Sequence, residues 1–257
     1  MAHPEVEVRR ATMQFLGVDF GWTSQPSGIA AMAWRGSALE LTESGTIHDA
    51  SAVADWAIER LGDGPGLVAI DAPTIIRNET GMRPCEREMH RRFGRYHAGC
   101  YPANLGSPFA SRTQALSGAL LEAGIAHAAE IAPQVPGRFQ IEVFPHAASI
   151  HLFSLTRIVR YKKGTVAQRR AGLLQFQFLL CECLATREPR VMPFQLARSR
   201  KQQRILKAHE DRLDAILCAY IGAWWWYWGA QRTCVLGDLN SGFIVVPVEA
   251  AGATGSA

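Results

Sequence analysis

No stretch of 18 or more apolar residues in the 257-residue chain is free of charge or glycine, so no membrane-spanning helix is expected. The leading residues Met1 to Ala11 lack the apolar core of a secretory signal, which points to a cytoplasmic location and away from membranes. Cysteine is sparse. Cys85, Cys100, Cys181, Cys183, Cys218 and Cys234 include no CxxC pair, so reduced thiols are expected rather than a disulfide scaffold or a four-cysteine zinc site. On a helix, Cys181 and Cys183 would point about 200° apart, which argues against a shared metal. There is no internal repeat and no low-complexity tract, which removes the repeat architectures.

What is present is 48% hydrophobic and 19% charged residues, the profile of a compact chain. At this length roughly 70 to 75% of the extended surface is buried on folding, enough for one large domain without covalent staples. The expected domain spans residues 13–248, with 1–12 and 249–257 as flexible ends. Net charge is only +4, yet Arg157 to Lys207 holds thirteen basic residues against Glu182 and Glu188, a local excess of +11. Such a concentration suits a polyanion, nucleic acid above all, or a solvated helical face.

Gln14–Asp19 and Ser27–Trp34 are apolar runs rich in strand-forming residues, and 38–46 alternates as a half-buried strand does. Their short connections predict an antiparallel meander. In 49–61, Val53, Trp56, Ala57 and Leu61 recur at helical spacing ahead of Gly62. Residues 67–72 then run apolar into Asp71 and stop at Pro73, as a buried strand would, and the strand, helix, strand unit implies parallel pairing. Residues 74–137 are mixed: a charged helical stretch (85–93), a Gly/Pro-rich loop (94–108) and a helix (111–123), together resembling a helical insertion. A fifth strand at 138–144 is followed by a helix, by longer helices at 166–185 and 209–228, and by a short apolar run at 242–248. The expected fold is therefore α/β: a mixed five-stranded sheet, three antiparallel strands and then parallel ones, with flanking helices, in the RNase H-like order.

Aspartate occurs only eight times, yet Asp19 ends the first strand and Asp71 the fourth, while Glu142 sits in the fifth. A carboxylate at the edge of a core is costly unless a partner or a metal compensates it. In open sheets, ligands gather beyond strand carboxyl ends where the strand order switches. Asp211 and Asp214 are three apart on the helix ending at Trp228, and so share a face. Compensation of a helix dipole would also explain them. Acids converging from separate elements call for a divalent ion, and hard oxygen ligands select Mg²⁺ or Mn²⁺. Two ions about 4 Å apart would activate water for in-line phosphodiester cleavage with no other nucleophile. His146 and His209 are the candidates for proton transfer, as groups able to titrate near neutral pH.

Several segments together resemble a known family. They are Gly17-Val18-Asp19-Phe20-Gly21, Ala69-Ile70-Asp71-Ala72-Pro73, Ile141-Glu142-Val143-Phe144-Pro145, Tyr161-Lys162-Lys163-Gly164 with Gln168-Arg169-Arg170-Ala171-Gly172, Asp211 to Tyr220, and the closing Gly242-Phe243-Ile244-Val245-Val246-Pro247. The combination is similar to domain-of-unknown-function family 429, a bacterial and archaeal family of predicted nucleases. That resemblance implies an RNase H-like fold and a distant similarity to Holliday-junction resolvases, whose acids lie on the first strand, the fourth strand and the last helix. Carried over, the metal-ligand roles fall on Asp19, Asp71, Asp214 and Asp211. The resolvases usually place Glu where this chain has Asp71. Glu142 belongs to the family pattern as a ligand, a supporting group, or a buried partner of Arg138 or His146.

Lys162, Lys163, Arg169 and Arg170 would hold a phosphate backbone or form a solvated surface. Arg83, Arg87, Arg91, Arg92 and Arg95 are interleaved with Glu79, Glu86 and Glu88, which predicts a helix laced with ion pairs. Tyr96, His97 and Tyr101 offer rings for unpaired bases. Trp224 to Trp228 occupy more than a full helical turn, so they cannot share one core; they pack on the last strand or form a homodimer contact. The expected function is a Mg²⁺- or Mn²⁺-dependent nuclease, with Asp19, Asp71, Asp211 and Asp214 as ligands and Glu142 as an auxiliary acid. The alternatives are a nucleotide-binding protein of the actin and sugar-kinase type, whose first phosphate loop Asp19-x-Gly21-x-Thr23 resembles, and a non-catalytic nucleic-acid-binding module.

Overall fold

The computed structural model describes residues 12–22, 26–196 and 203–248. Most of both expected loose ends, Thr23, and Arg198, Arg200 and Lys201 of the basic run lie outside the described residues. Strands β1 (Gln14–Asp19), β2 (Ser27–Trp34) and β3 (Leu39–Ile47) form the expected antiparallel meander. Helix α1 (Ser51–Leu61) then crosses to β4 (Gly66–Ile70), which pairs parallel with β1. Helix α2 (Pro84–Phe93), helix α3 (Ala110–Glu122) and the short β5 (Ala126–His127) precede β6 (Arg138–Glu142). Helices α4 (Pro145–Leu152), α5 (Val166–Thr186) and α6 (Gln203–Trp228) follow, and β7 (Thr233–Asp238) and β8 (Gly242–Pro247) come last.

The main sheet has six strands rather than five, in the order β3-β2-β1-β4-β6-β5. The sixth is β5, a two-residue edge strand parallel to β6, too short to show any alternation. The apolar run at 242–248 is one arm of an antiparallel hairpin with β7, and it touches the main sheet through a Val143–Val245 bridge. Three antiparallel strands followed by parallel ones make a mixed α/β sheet consistent with an RNase H-like fold.

Alternation along the central strands divides the core between two faces. Leu16, Val18, Val68 and Ile70 face α1 and α3, while Phe15, Leu67, Ala69 and Ile141 face α4, α5 and α6. Because both faces are covered, β4 is buried at every position. Among the described residues no helix is long and apolar enough to cross a membrane. All six cysteines are free thiols.

Helix α6 begins at Gln203, before the expected start at residue 209, and is buried around its whole circumference from Leu213 to Trp226. It reaches the sheet at backbone distance: a Cβ on Gly17 would stand 2.0 Å from the Ala215 carbonyl oxygen. The tryptophan fan is accounted for inside one chain. The indole N–H groups of Trp224, Trp225, Trp226 and Trp228 donate to the carbonyls of Arg232, Ala128, Val135 and Glu188 at 2.7, 3.0, 3.1 and 2.8 Å. The rings thus pin three connecting segments to the helix, with Trp225 and Trp226 both holding the one between β5 and β6.

Candidate active site

Asp19 closes β1, and Asp71 follows β4 with its N–H still donating to the Val18 carbonyl at 2.8 Å. Both carboxylates therefore leave adjacent parallel strands at the same end, at the point where the chain turns from antiparallel to parallel pairing. Burial pushes Asp19 well above the usual carboxylate range; Lys162 opposes this, and Asp214, Asp71 and Asp211 add to it. Asp71 is raised to about 7 by burial, against the pull of Lys162, with Asp214 and Glu142 adding to the rise.

Asp211 and Asp214 come from α6 and are fully buried beside the same strand ends. Because α6 starts at Gln203, both lie beyond its first turn, where the dipole no longer favours acids, so that explanation for them falls away. Burial raises Asp211 above the usual carboxylate range, while Lys207 pulls it back down. Among the described residues, Asp211 Oδ2 has no hydrogen-bond partner.

Two lysines stand among these four acids. Lys162 Nζ lies 2.8 Å from Asp214 Oδ2, an ion pair outside hydrogen-bond geometry. Burial works against its charge, but Asp214, Asp19, Tyr161 and Asp71 hold the ammonium well above the usual lysine range. Lys207, one turn before Asp211, pairs with Asp211 Oδ1 and with Glu210 Oε1 at 3.2 Å. Tyr161 donates its hydroxyl to Asp214 Oδ1 at 2.5 Å. Its ring is stacked between those of His146 and Phe176, at interplanar angles of 9° and 7°. Lys207 and Tyr161 were legible only as members of a basic run and of a motif; the role of Lys207 follows from its place one helical turn before Asp211, and that of Tyr161 from its reach to Asp214 of α6.

Glu142 belongs to a separate buried ion cluster. Arg83, only 1% exposed, donates Nη1 and Nη2 to its two oxygens at 2.8 and 2.6 Å, and the Thr74 N–H adds a third hydrogen bond at 3.0 Å. The same guanidinium reaches Glu86 Oε1 at 2.8 Å. The partner of Glu142 is thus Arg83 rather than Arg138 or His146. Arg138 caps the carbonyls of Gly62, Gly64 and Ala123 instead. Ion pairs on the exposed side of α2, Arg91 and Arg92 with Glu88, match the expected lacing.

Burial holds both histidines below the usual imidazole range. Burial lowers His146 to about 4, with Lys162 adding to the fall, so its ring is neutral. His209 is also lowered by burial, and its Nε2 lies 3.0 Å from Gln177 Oε1 on α5 rather than in the site. Of the four expected backbone contacts, Lys162 and Arg169 turn inward. Arg169 binds Glu210 at 3.3 Å and the Tyr161 carbonyl, while Lys163 and Arg170 stay exposed.

These groups open into a cavity of about 610 Å³. Asp19, Asp71 and Asp211 line its floor, and Arg157, Arg160 and Lys163 its rim. His97 and Tyr101 line it too, the latter 68% exposed, whereas Tyr96 packs on Phe93 beneath Arg95. Among the described residues no three His, Cys, Asp or Glu side chains form a ready-made metal-ligand set. The lysine ammonium groups occupy the space between the acids. By donor chemistry the residues nevertheless fit a hard divalent cation. The donors are all carboxylate oxygens, and Asp211 Oδ2 is buried without a hydrogen-bond partner among the described residues.

A comparison with the curated proteins finds no match. The model of one family, described as "Protein of unknown function (DUF429)", matches residues 17–239 and so takes in the end of β1, and β4, β6 and α6, with all the acids above. The chain belongs to this DUF429 family.

Proposed function

We propose that the protein is a Mg²⁺- or Mn²⁺-dependent phosphodiesterase that cleaves nucleic acid. The observation carrying this reading is the meeting of Asp19 and Asp71, from the ends of adjacent parallel strands, with Asp211 of α6 in the lining of one cavity that Arg157, Arg160 and Lys163 also line, and with Asp214 of α6 buried beside it. The four aspartates would hold the metal. A divalent cation so held supplies activation of water and neutralisation of charge on the leaving oxygen.

The chain's own residues supply the rest. Arg157, Arg160 and Lys163, exposed on the cavity rim, are placed to meet phosphates, which positions a substrate without reading its sequence. His97 and Tyr101 present flat rings to an unstacked base. Tyr161 fixes the Asp214 carboxylate by its hydroxyl. Arg83 fixes Glu142, which lines the same cavity, so Glu142 supports the site through a buried ion pair.

The test is cleavage of single-stranded, duplex, hybrid and branched DNA and RNA with Mn²⁺ and then Mg²⁺, comparing wild type with Asp19→Asn. Metal-dependent cutting that the variant loses supports the reading and identifies the substrate class. Absence of cutting on every substrate with either metal overturns it.

A further inference from the structure

We propose that Lys162 is a tethered counter-cation. Its ammonium occupies the aspartate cluster in the metal-free protein, and it yields that place to the divalent cation and turns into the cavity. This rests on the metal-binding part of the reading above and adds a role for a residue that charge alone would assign to the substrate backbone.

The first support is position. Four carboxyl groups meet in a space closed to solvent on the α6 side, and something positive must stand between them. Lys162 does so: Nζ is 2.8 Å from the fully buried Asp214 Oδ2, and Asp19 and Asp71 also act on it. The second support is geometry. Asp214 Oδ2 meets the ammonium out of hydrogen-bond alignment, and Asp211 Oδ2 meets no donor among the described residues, so two buried oxygens keep lone pairs unused. A metal ion would satisfy both.

The third support is the way Lys162 is mounted. The preceding residue is locked by the stacking of Tyr161 between His146 and Phe176, by the Tyr161–Asp214 hydrogen bond, and by Arg169 Nε donating to the Tyr161 carbonyl at 3.3 Å. The backbone is therefore held, while the lysine side chain is 31% exposed and lines the cavity. A compact charge on a flexible stem can leave without disturbing its base, which an arginine gripping a carboxylate in a fork would not do. Lys207, 38% exposed and paired with Asp211, stands on the other flank and shares the charge balance.

The experiment uses the full chain. Mn²⁺ binding is measured by calorimetry and electron paramagnetic resonance for wild type, Lys162→Met and Lys207→Met. In parallel, acetic anhydride labelling of Lys162 and of the exposed Lys163 is read by peptide mass, without metal and with saturating Mn²⁺. Removing a competing ammonium should tighten Mn²⁺ binding about tenfold or more in Lys162→Met. The metal-free variant should melt lower than wild type, with Mn²⁺ restoring it. In wild type, Mn²⁺ should raise the labelling of Lys162 and leave Lys163 unchanged.

Equal or weaker Mn²⁺ binding by Lys162→Met, or Lys162 labelling that Mn²⁺ does not change, overturns the proposal. If Lys162→Met does not fold, the wild-type labelling decides alone. Lysine release without cleavage of any nucleic acid would leave the counter-cation standing and remove the nuclease. Cleavage with unchanged labelling would do the reverse. Absence of Mn²⁺ binding in both wild type and variant would remove both.

Discussion

Gly28 and Asp211 meet where no side chain has room: a Cβ on Gly28 would lie 2.0 Å from the Asp211 carbonyl oxygen. Gly28 is also the cross-strand partner of Asp19. The missing side chain lets α6 settle onto the β1–β2 pair at the level of the strand-end acid, and this close approach brings Asp211 to Asp19.

Gly28→Ala should push α6 away from the sheet. Backbone rather than a flexible side chain stands in the way, so a cost of about 3 kcal/mol is expected, read as a fall in the urea midpoint. Mn²⁺ affinity should fall with it, since the two halves of the cluster separate. A variant as stable as wild type would mean that the contact relaxes freely.

Asp71 makes the metal-free protein pH-sensitive. Its pKa rises from about 3.9 in an unfolded chain to about 7 in the fold. The folded state therefore favours the protonated form. The associated stability is present below pH 4 and is lost as pH rises through 7. In EDTA, the melting temperature of Asp71→Asn minus that of wild type should grow between pH 5 and pH 8, because the variant has no proton to lose. A difference that stays flat over that range would contradict the assignment.

Arg83→Met leaves Glu86 and Glu142 buried without their cation. A loss of about 3–5 kcal/mol is expected on denaturant unfolding. Arg87→Met, at an exposed position of the same helix, should change stability by about 0.5 kcal/mol or less. Similar losses in the two would show that the buried cluster contributes no more than a surface charge.

His146→Phe keeps a flat ring against Tyr161. With the histidine neutral down to about 4, its replacement should leave the shape of the pH profile of nucleic-acid cleavage between pH 5 and 8 unchanged. The variant should cut within about one order of magnitude of wild type, whereas removing a working acid–base group would cost about 100-fold or more. A drop of that size would restore His146 to catalysis.

The strand-end acids were legible because a charge closing an apolar run is conspicuous in sequence, and Asp19 and Asp71 lie where those runs placed them. The register between α6 and the sheet was not legible. It depends on Gly17 and Gly28, glycines inside strands whose significance appears only once a helix lies across them. Long-range partners were hidden for a similar reason. Arg83 and Glu142 are separated by 59 positions, and nothing local distinguishes Arg83 from the exposed arginines that follow it. Lys162 read as a substrate contact because composition records the sign of a charge and not the direction it faces. β5 and β7 escaped as a two-residue strand and as a run interrupted by a glycine.

The placement of α6 has a consequence for how the chain is made. The face of the sheet that carries Leu16, Val18, Val68 and Ile70 can begin to close as soon as α1 and β4 have emerged, since the first cover lies between the strands in sequence. The opposite face, with Phe15, Leu67 and Ala69, packs against Leu213 to Trp226. At a synthesis rate of about 5–20 residues per second, its cover arrives on the order of 10 s after β4. During that interval the nascent meander presents an uncovered apolar surface at the ribosome, a state suited to capture by a chaperone, and the acid cluster cannot assemble until the last long helix has been translated.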